Sequence, residues 1–360
     1  MNSLSNNSNA ILIVNLKNLI YNYKLLKKLA PNSIIAPCIK ANAYGLGALE
    51  ICKVLKNKGC KVFFVATPDE AISIRNNFKD VEIYLLNGVN EKSDFLKMIK
   101  NKITLIINNK YQLNVIKNNK KAREKISCGI HVDTGMNRLG FSQEHLQYCY
   151  KYLKENLNIK LVISHLISSE KKTSSNNTQL EKFNKIKKNF SFCSDTIYSL
   201  SNSNGIFLNK KYYYDMIRVG GLLYGLSLNK KNLTKNVISL KAKIIQIQEI
   251  KKGQSIGYGA NFVTKKNSII ATLSIGYADG LPRNYNGYAI YKSKKVPFVG
   301  NISMDLSCID LTGIKNIVKY DWVEIFGSSL SILDFSNRCN TISYEISSNI
   351  GSRVKKLYLK

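Results

Sequence analysis

The sequence predicts an α/β protein with an N-terminal (β/α)8 barrel of the TIM type and a C-terminal all-β domain. Up to residue 228, short apolar runs rich in β-branched residues alternate with helix-like stretches. Beyond that point, apolar and polar residues alternate and are interrupted by Gly and Asn, which is typical of antiparallel β-structure. The 360 residues, 44% of them hydrophobic, are enough to form two cores.

The chain begins with a predicted strand at residues 12–15 and a helix at residues 16–29, whose apolar residues recur at helical spacing. Eight β-rich runs follow, and eight strands are the number that closes a TIM-type barrel. We predict these strands at residues 34–39, 62–65, 82–86, 103–107, 126–132, 159–164, 196–200 and 213–217. Helix-like stretches between them include residues 68–76, 143–153 and 178–189.

The change in pattern sets the predicted domain boundaries. We expect the barrel domain at residues 1–228, a linker at residues 229–234 and the β domain at residues 235–360. The strand at residues 12–15 precedes the first barrel strand, and we expect it to join the C-terminal domain.

Composition excludes several classes of function. The formal charge of +31 comes from 54 basic and 23 acidic residues, but the excess is almost all Lys and is spread along every polar stretch. A nucleic-acid site would concentrate Arg, so we expect neither nucleic-acid nor membrane binding. The chain lacks a C-x-x-C pair and has only three His, so we expect no metal site. No signal peptide or membrane span is recognisable, which predicts a cytoplasmic protein.

Reactive side chains gather where the predicted barrel strands end. Barrel enzymes build their active sites at the C-terminal ends of their strands, so these residues are expected to converge on one rim. They are Lys40 after the first strand, Asp133 and Arg138 after the fifth, His165 after the sixth, Asn202 and Ser203 after the seventh, and Arg218, Gly220 and Gly221 at the eighth.

Lys40 is the candidate nucleophile of this rim. A lysine that ends a buried strand can lose its hydration, which frees its amine to form a Schiff base. The alternative from the residues alone is a solvated lysine at the barrel edge, a common position in so Lys-rich a chain.

Ser203 and the pair Gly220–Gly221 are candidate phosphate ligands, because phosphate sites in such barrels often follow strands seven and eight. The alternatives are a helix N-cap at Ser203 and a tight turn at the glycines. For His165, we expect a supporting role beside Arg218 rather than proton transfer.

Eight strings together resemble the alanine racemase family, and they span nearly the whole chain in compatible order. The strings are IKANAYGLG (39–47), VDTGMNRLGF (132–141), SHLISSE (164–170), SNSNG (201–205), MIRVGGLLYG (216–225), SIGYGANF (255–262), SIGYADGLPR (274–283) and GNISMDL (300–306). The resemblance implies a pyridoxal-phosphate enzyme of fold type III that forms D-alanine for cell-wall peptidoglycan. It also implies a homodimer whose two active sites each use both subunits.

The resemblance assigns two bases, since inversion at Cα needs proton removal on one face and delivery on the other. Lys40 would hold the cofactor covalently and act on D-alanine, whereas Tyr258 from the partner's β domain would act on L-alanine. A phenol ordinarily titrates near pH 10, so the second role requires nearby positive charge.

Further roles follow from the same resemblance. Arg218 would bond the pyridine nitrogen and, as a permanent cation, keep it unprotonated, which weakens the electron sink and restrains side reactions. The remaining assignments are Tyr44, Ser203, Gly220 and Gly221 for the phosphate, His165 beside Arg218, Arg138 and the partner's Met304 for the substrate, and Tyr277 and Asp305 for the entrance.

Three positions depart from the family pattern. Leu46 stands where a histidine is usual, and His131 stands where many members have a lysine, often carbamylated, that positions the substrate arginine. We therefore expect Arg138 to be oriented differently, without a carbamate. Ser352 precedes Arg353 where some members place a phosphate-binding tyrosine, which leaves that ligand open.

Other functions remain open at the level of sequence. A broad-specificity or non-alanine amino-acid racemase would share nearly every motif. A decarboxylase of this fold type would meet the pyridine nitrogen with a carboxylate, where this chain has Arg218. A non-catalytic cofactor carrier would lack the GYG and SMD strings, and a nucleic-acid-binding protein would bind in a steeply salt-dependent way.

Overall fold

The computed structural model describes residues 8–119, 126–226 and 233–360. The chain divides into two compact units, one at Ile20–Leu223 and one that combines the segment up to Leu19 with Tyr224–Lys360. The predicted linker at residues 229–234 lies mostly outside the described residues. Among the described helices, none combines the length and apolarity needed to cross a bilayer.

The first unit contains a β/α barrel. Strand β1 (Ala10–Asn15) and helix α1 (Leu16–Leu29) precede it. The parallel strands that the described residues show are β2 (Ile34–Pro37), β3 (Val62–Val65), β4 (Glu82–Leu85), β5 (Thr104–Ile107), β6 (Ser127–His131), β7 (Asn158–Ile163), β8 (Ile197–Ser199) and β9 (Met216–Val219). The helices between them are α2 (Ala48–Lys56), α3 (Pro68–Asn77), α4 (Lys92–Lys100), α5 (Lys110–Lys117), α6 (Gln143–Asn156) and α7 (Ser174–Asn189).

The barrel closes through the first and last of these strands. Strands β3 to β8 pair in chain order, and β2 pairs in parallel with β9. Single bridges from Cys38 to Phe64 and from Asn202 to Arg218 join the two sheets at their edges. The predicted fold class, a barrel of parallel strands followed by a β domain, is confirmed.

The last barrel strand lies farther along the chain than predicted. Residues 213–217 were expected as the strand, but β9 begins at Met216. A short 3₁₀ turn occupies Lys210–Tyr212. Tyr214 has a φ of 51°, which lies outside the range of extended backbone. Arg218 therefore lies within the strand rather than after it.

The second unit is built around one long antiparallel strand. β10 (Ile238–Ile250) pairs with β1 and β17 through its first half and with β13 through its second, which closes the sheet on itself. The other elements are β11 (Ser255–Ile256), β12 (Phe262–Val263), β13 (Ser268–Leu273), β14 (Tyr288–Tyr291), β15 (Lys294–Val299), β16 (Ser307–Asp310), β17 (Trp322–Phe326), α8 (Ile332–Arg338), α9 (Ser343–Ser348) and β18 (Lys355–Leu359). β1 lies between β10 and β18 in this sheet.

Arg75 is a buried charge that ties the barrel helices together. Its side chain, 8% exposed, reaches from the end of α3 to the turn before β5. The guanidinium donates to the carbonyl oxygens of Asn101 at 2.9 Å, Lys102 at 3.1 Å, Phe78 at 3.2 Å and Lys79 at 2.8 Å. A planar group with several donors can satisfy diverging carbonyls in this way, and an ammonium group cannot.

We expect Arg75→Lys to lower the free energy of unfolding by about 1–3 kcal/mol, because partly buried carbonyls would lose their donors. Urea denaturation followed by far-ultraviolet circular dichroism measures the change. Lys79→Ala removes a neighbouring exposed side chain and serves as the matched control. Equal midpoints for the two variants would contradict a structural role for Arg75.

Candidate active site

Lys40 begins a left-handed turn directly after the first barrel strand. The four residues from Ala41 to Tyr44, none of them glycine, have φ angles between 50° and 55°. This conformation costs about 1–2 kcal/mol per residue for side chains with a Cβ atom. The side chain of Lys40 is partly buried, so the turn fixes the direction in which the lysine leaves the strand.

Glu70 holds this turn, although sequence reasoning did not select it. One carboxylate oxygen accepts from the Ala41 amide at 2.6 Å, and the other accepts from the Ala66 amide at 2.7 Å. Glu70 also completes a capping box with Thr67 at the start of α3. The T-P-D-E string is the signal for this cap, but its contact with the lysine turn arises only from the fold.

Arg218 is buried in β9, where Ala36 of β2 is its direct neighbour. Its Nη1 donates to the carbonyl and hydroxyl oxygens of Ser199 at 2.8 and 2.6 Å, and its Nη2 donates to the carbonyl of Ser164. Burial lowers the pKa of Arg218 to about 10, so the guanidinium stays protonated at neutral pH.

His165 lies against this guanidinium as a neutral ring. Its Nδ1 is 3.4 Å from Arg218 Nη2, and its Nε2 is 3.5 Å from the amide nitrogen of Asn202. Burial, and then the positive charge of Arg218, holds the pKa of His165 well below its ordinary value. A neutral imidazole can accept from Arg218, whereas an imidazolium would repel it.

Ser203, Gly220 and Tyr44 follow strands β8, β9 and β2 and form a compact polar cradle. The Gly220 amide donates to the Ser203 hydroxyl oxygen at 2.8 Å, which leaves the hydroxyl hydrogen available to another acceptor. A Cβ atom on Gly220 would lie 2.4 Å from the phenol oxygen of Tyr44, so only glycine fits beside that ring. A phenol and a hydroxyl around one glycine suit a small anion.

The loop after β6 carries Arg138. The carboxylate of Asp133 accepts from the amides of Gly135, Met136 and Asn137 at 2.8–3.2 Å. A bridge between Val132 and Phe141 closes the base of the loop. Arg138 is exposed, so the loop presents its charge at the rim of the barrel.

His131 is a buried, neutral side chain beneath this loop. Its Nδ1 lies 2.9 Å from the side-chain oxygen of Asn108. Burial, and then the positive charge of Arg218, lowers the pKa of His131 to about 4. Sequence reasoning did not select Asn108, because one more Asn in an Asn-rich chain carries no local signal.

The second unit contains the other four predicted site residues, whereas the residues described above belong to the barrel unit. The four are Tyr258, Tyr277, Met304 and Asp305. Tyr258 lies in a turn between Gly257 and Gly259, and it is 72% exposed. Asn301 donates to the backbone oxygen of Tyr258 at 2.8 Å. The ring of Tyr258 therefore stands out from the surface of its own unit.

The loop with Met304 packs closely against the turn with Tyr277. The Tyr277 amide donates to the Ser303 carbonyl at 3.0 Å, and the Ala278 amide donates to the Met304 carbonyl at 3.0 Å. A Cβ atom on Gly276 would lie 2.3 Å from the carbonyl oxygen of Met304. Only glycine therefore allows the two segments to pack this closely. These contacts fix Met304 and Tyr277 relative to each other.

Arg353 adds an ionic link between the same two segments. Its Nη1 donates to Asp305 at 2.7 Å and its Nε donates to Asp279 at 3.0 Å. Asp305 and then Asp279 raise the pKa of Arg353 above its usual range. The second oxygen of Asp279 accepts from the Gly276 amide at 2.9 Å. Neighbouring Ser352 is exposed.

We expect the stability of the protein to fall as the pH drops from 6.5 to 4. An unfolded histidine takes up a proton below pH 6.5, but folded His131 stays neutral down to a pKa of about 4, so its contribution is complete above pH 6.5. The loss that His131 contributes by pH 4.5 is about 2–3 kcal/mol, and urea denaturation across this range measures it.

The variant His131→Gln should remove the share of this pH dependence that His131 contributes, whereas the share of His165, whose pKa is also lowered, should remain. His145→Gln, at an exposed position in α6, is the control and should leave it unchanged. Parallel curves for the wild type and His131→Gln would contradict the assignment.

Comparisons with known proteins agree along nearly the whole chain. The model for the alanine racemase N-terminal domain matches residues 14–228, and the model for the C-terminal domain matches residues 237–358. The alanine racemase of Rickettsia africae is 38% identical over 354 residues, which are 96% of this chain and 98% of the relative. That of Rickettsia bellii is 39% identical over 340 residues, 91% of this chain and 82% of the relative.

Solved structures give the same result. The alanine racemase of Bartonella henselae with covalently bound pyridoxal phosphate has a TM-score of 0.91 and 34% identity, covering 98% of this chain and 100% of that one. The biosynthetic alanine racemase of Pseudomonas aeruginosa has a TM-score of 0.91 and 28% identity with the same coverage. The chain belongs to the alanine racemase family.

Proposed function

We propose that the protein is an alanine racemase, which interconverts L-alanine and D-alanine with pyridoxal phosphate held on Lys40. The observation that carries the proposal is the arrangement in the barrel. Lys40 follows β2, the buried cation Arg218 lies in the adjacent β9, and the Ser203–Gly220–Tyr44 cradle follows the neighbouring strand ends. The names of the relatives support the same activity.

The residues fit this cofactor on three counts. The cradle at Gly220 offers the hydroxyl hydrogen of Ser203 to a phosphate, and Tyr44 fills the space that a larger residue at position 220 would need. Arg218 is a buried donor that stays charged at neutral pH and suits an unprotonated ring nitrogen. Lys40 offers the amine for covalent attachment. When bound, the cofactor supplies the electron sink that makes the Cα proton of alanine removable.

Lys40 and Tyr258 are the proposed bases on opposite faces of the substrate. Inversion requires one group to take the Cα proton and another to return a proton from the other side. We assign Lys40 Nζ to the proton of D-alanine and Tyr258 Oη to that of L-alanine. The exposure of Tyr258 on its own unit suits a side chain that serves the site of another subunit.

Arg138 and Met304 are the proposed substrate contacts, and Tyr277 and Asp305 are proposed to line the entrance. The Asp133-capped loop presents the Arg138 guanidinium, which can pair with a carboxylate through two parallel hydrogen bonds. The proposal places Met304 in the partner's site. It implies a homodimer with shared active sites, located in the cytoplasm and supplying D-alanine for peptidoglycan.

The proposal predicts distinct defects for two variants, measured as exchange of the Cα proton of each alanine enantiomer in deuterated water. Tyr258→Phe should retain exchange from D-alanine and lose it from L-alanine, because only the base on one face is removed. Lys40→Ala should lose both exchange and the covalent label that borohydride fixes in the wild-type protein.

Exchange from both enantiomers in Tyr258→Phe would contradict the two-base assignment. Failure of borohydride to label Lys40 after pyridoxal phosphate is added would overturn the proposed function. Faster racemisation of serine or lysine than of alanine would overturn the substrate. Lys79→Ala, far from the proposed site along the chain, serves as the control.

Mixing the two inactive variants tests the shared site. If Lys40 and Tyr258 come from different subunits, a dimer of Lys40→Ala with Tyr258→Phe has one intact site and one doubly altered site. Random reassociation should restore about a quarter of the wild-type activity, since half of the dimers are mixed. Differently tagged copies confirm that mixing occurred. Mixed dimers without activity would contradict a site shared between subunits.

A further inference from the structure

We propose that Glu70 is a positioning residue for the cofactor site. Its carboxylate fixes the turn from Lys40 to Tyr44, and this turn sets where the Lys40 amine stands relative to the Tyr44 phenol. Glu70 acts only through these two residues. The effect on cofactor attachment and catalysis rests on the proposed function, whereas the hold on the turn does not. Four observations carry the inference.

The first observation is that the turn is a complete turn of left-handed helix. The Ala43 amide donates to the Ile39 carbonyl at 2.8 Å, and the Gly45 amide donates to the Ala41 carbonyl at 2.9 Å. Both bonds span four residues, as in an α-helix, but the φ angles are positive. Side chains with a Cβ atom disfavour this hand, so contacts from outside must hold the turn.

The second observation is that Glu70 holds the first amide of this turn that the structure shows paired. The opening amides of a helix have no acceptor within the helix. The Ala41 amide is one of these, and it donates to Glu70 Oε1 at 2.6 Å. A charged acceptor makes a stronger hydrogen bond than a neutral one. The other end of the turn is held by Asn42, whose side-chain oxygen accepts from the Ala48 amide at 2.8 Å.

The third observation is that the same carboxylate joins two strand ends. Strands β2 and β3 belong to different sheets, and the bridge between Cys38 and Phe64 links them. Just beyond this bridge, Glu70 Oε2 accepts from the Ala66 amide at 2.7 Å. One side chain therefore ties the residue after Lys40 to the residue after β3, and it fixes the lysine turn against the adjacent strand.

The fourth observation is that the turn carries two of the proposed cofactor contacts. Lys40 and Tyr44 are four residues apart, about one helical turn, so their side chains leave on the same side. The Tyr44 ring is fixed beside Gly220, where a Cβ atom would lie 2.4 Å from the phenol oxygen. Unwinding the turn would move the amine of Lys40 away from this fixed point. Glu70 therefore sets the spacing between the covalent anchor and the phosphate cradle.

Cofactor attachment in the variant Glu70→Ala tests this spacing. The full chain is titrated with pyridoxal phosphate, the attached fraction is fixed by borohydride at each concentration, and mass spectrometry locates the label on Lys40. The half-saturating concentration should rise about tenfold or more, the range for loss of a hydrogen bond to a charged group.

Two control variants alter the start of α3 but leave the bond to Ala41 in place. Asp69→Ala removes an exposed carboxylate from the same first turn, and Thr67→Ala removes the hydroxyl that accepts from the Glu70 amide at 3.4 Å. Both should attach the cofactor like the wild type. Glu70→Gln keeps one oxygen for one of the two amides and should give an intermediate value. A half-saturating concentration for Glu70→Ala equal to that of the controls would overturn the proposal.

The balance of kcat and KM separates positioning of the lysine from a change at the substrate contacts. With pyridoxal phosphate in excess, Glu70→Ala should lower kcat for both alanine enantiomers, because the Lys40 amine leaves the strand in the wrong direction. KM for alanine should change little, since Arg138 belongs to the loop after β6. A defect confined to KM would contradict the inference.

Hydrogen–deuterium exchange, with and without pyridoxal phosphate, provides a readout that does not depend on activity. The amides of Ala41, Ala43 and Gly45 are hydrogen-bonded in the turn. In Glu70→Ala they should exchange about tenfold faster or more, whereas in Asp69→Ala they should exchange at the wild-type rate. Unchanged exchange in Glu70→Ala would show that the carboxylate does not hold the turn.

These results distinguish the two proposals. If the wild type attaches no pyridoxal phosphate, the proposed function fails, and the exchange rates still decide whether Glu70 holds the turn. If the wild type racemises alanine but Glu70→Ala behaves like Asp69→Ala, the positioning role fails and the proposed function stands. Circular dichroism checks the folding of each variant, and Glu70→Gln decides by the same measurements if Glu70→Ala does not fold.

Discussion

The parallel pairing of β2 with β9 is the constraint on which the barrel half of the site depends. It places Ala36 beside Arg218, and the lysine turn begins where β2 leaves this pairing. Burial of the Arg218 charge is possible only because oxygens of Ser164 and Ser199 accept its hydrogens. Barrel closure therefore does more than complete a sheet. It brings together the strands that carry Lys40, which is proposed to hold the cofactor, and Arg218, which is proposed to bond its ring nitrogen.

Much of the fold could be predicted from the sequence, because strands and helices that face a core leave a periodic pattern. Helix α1 begins and ends at its predicted residues. The eighth barrel strand was misplaced because Tyr213 and Tyr214 have the composition of a strand, whereas the positive φ of Tyr214 is imposed by its surroundings. A left-handed conformation of non-glycine residues has no compositional signal, so the turn after Lys40 could not be predicted.

The candidate site was predictable to a different degree. The end-of-strand rule and the family strings selected Lys40, Ser203 and Arg218, since the roles proposed for these residues belong to recognisable strings of the sequence. The supporting side chains were missed, because their positions follow from three-dimensional packing. Glu70 holds the lysine turn from a neighbouring helix, and Asn108 reaches His131 across 23 residues of sequence. Such contacts place the reactive groups but carry no motif of their own.

The position of β1 has a consequence for the order in which the protein folds. β1 pairs with β10 on one side and with β18 on the other, so residues 10–15 lie between residues 238–242 and 355–359. During synthesis the chain emerges from its N-terminal end, and the barrel strands between these segments can pair first. β1 must wait, unpaired, until β10 and then β18 leave the ribosome. The second unit thus becomes complete only after all of the chain between its two parts has been made.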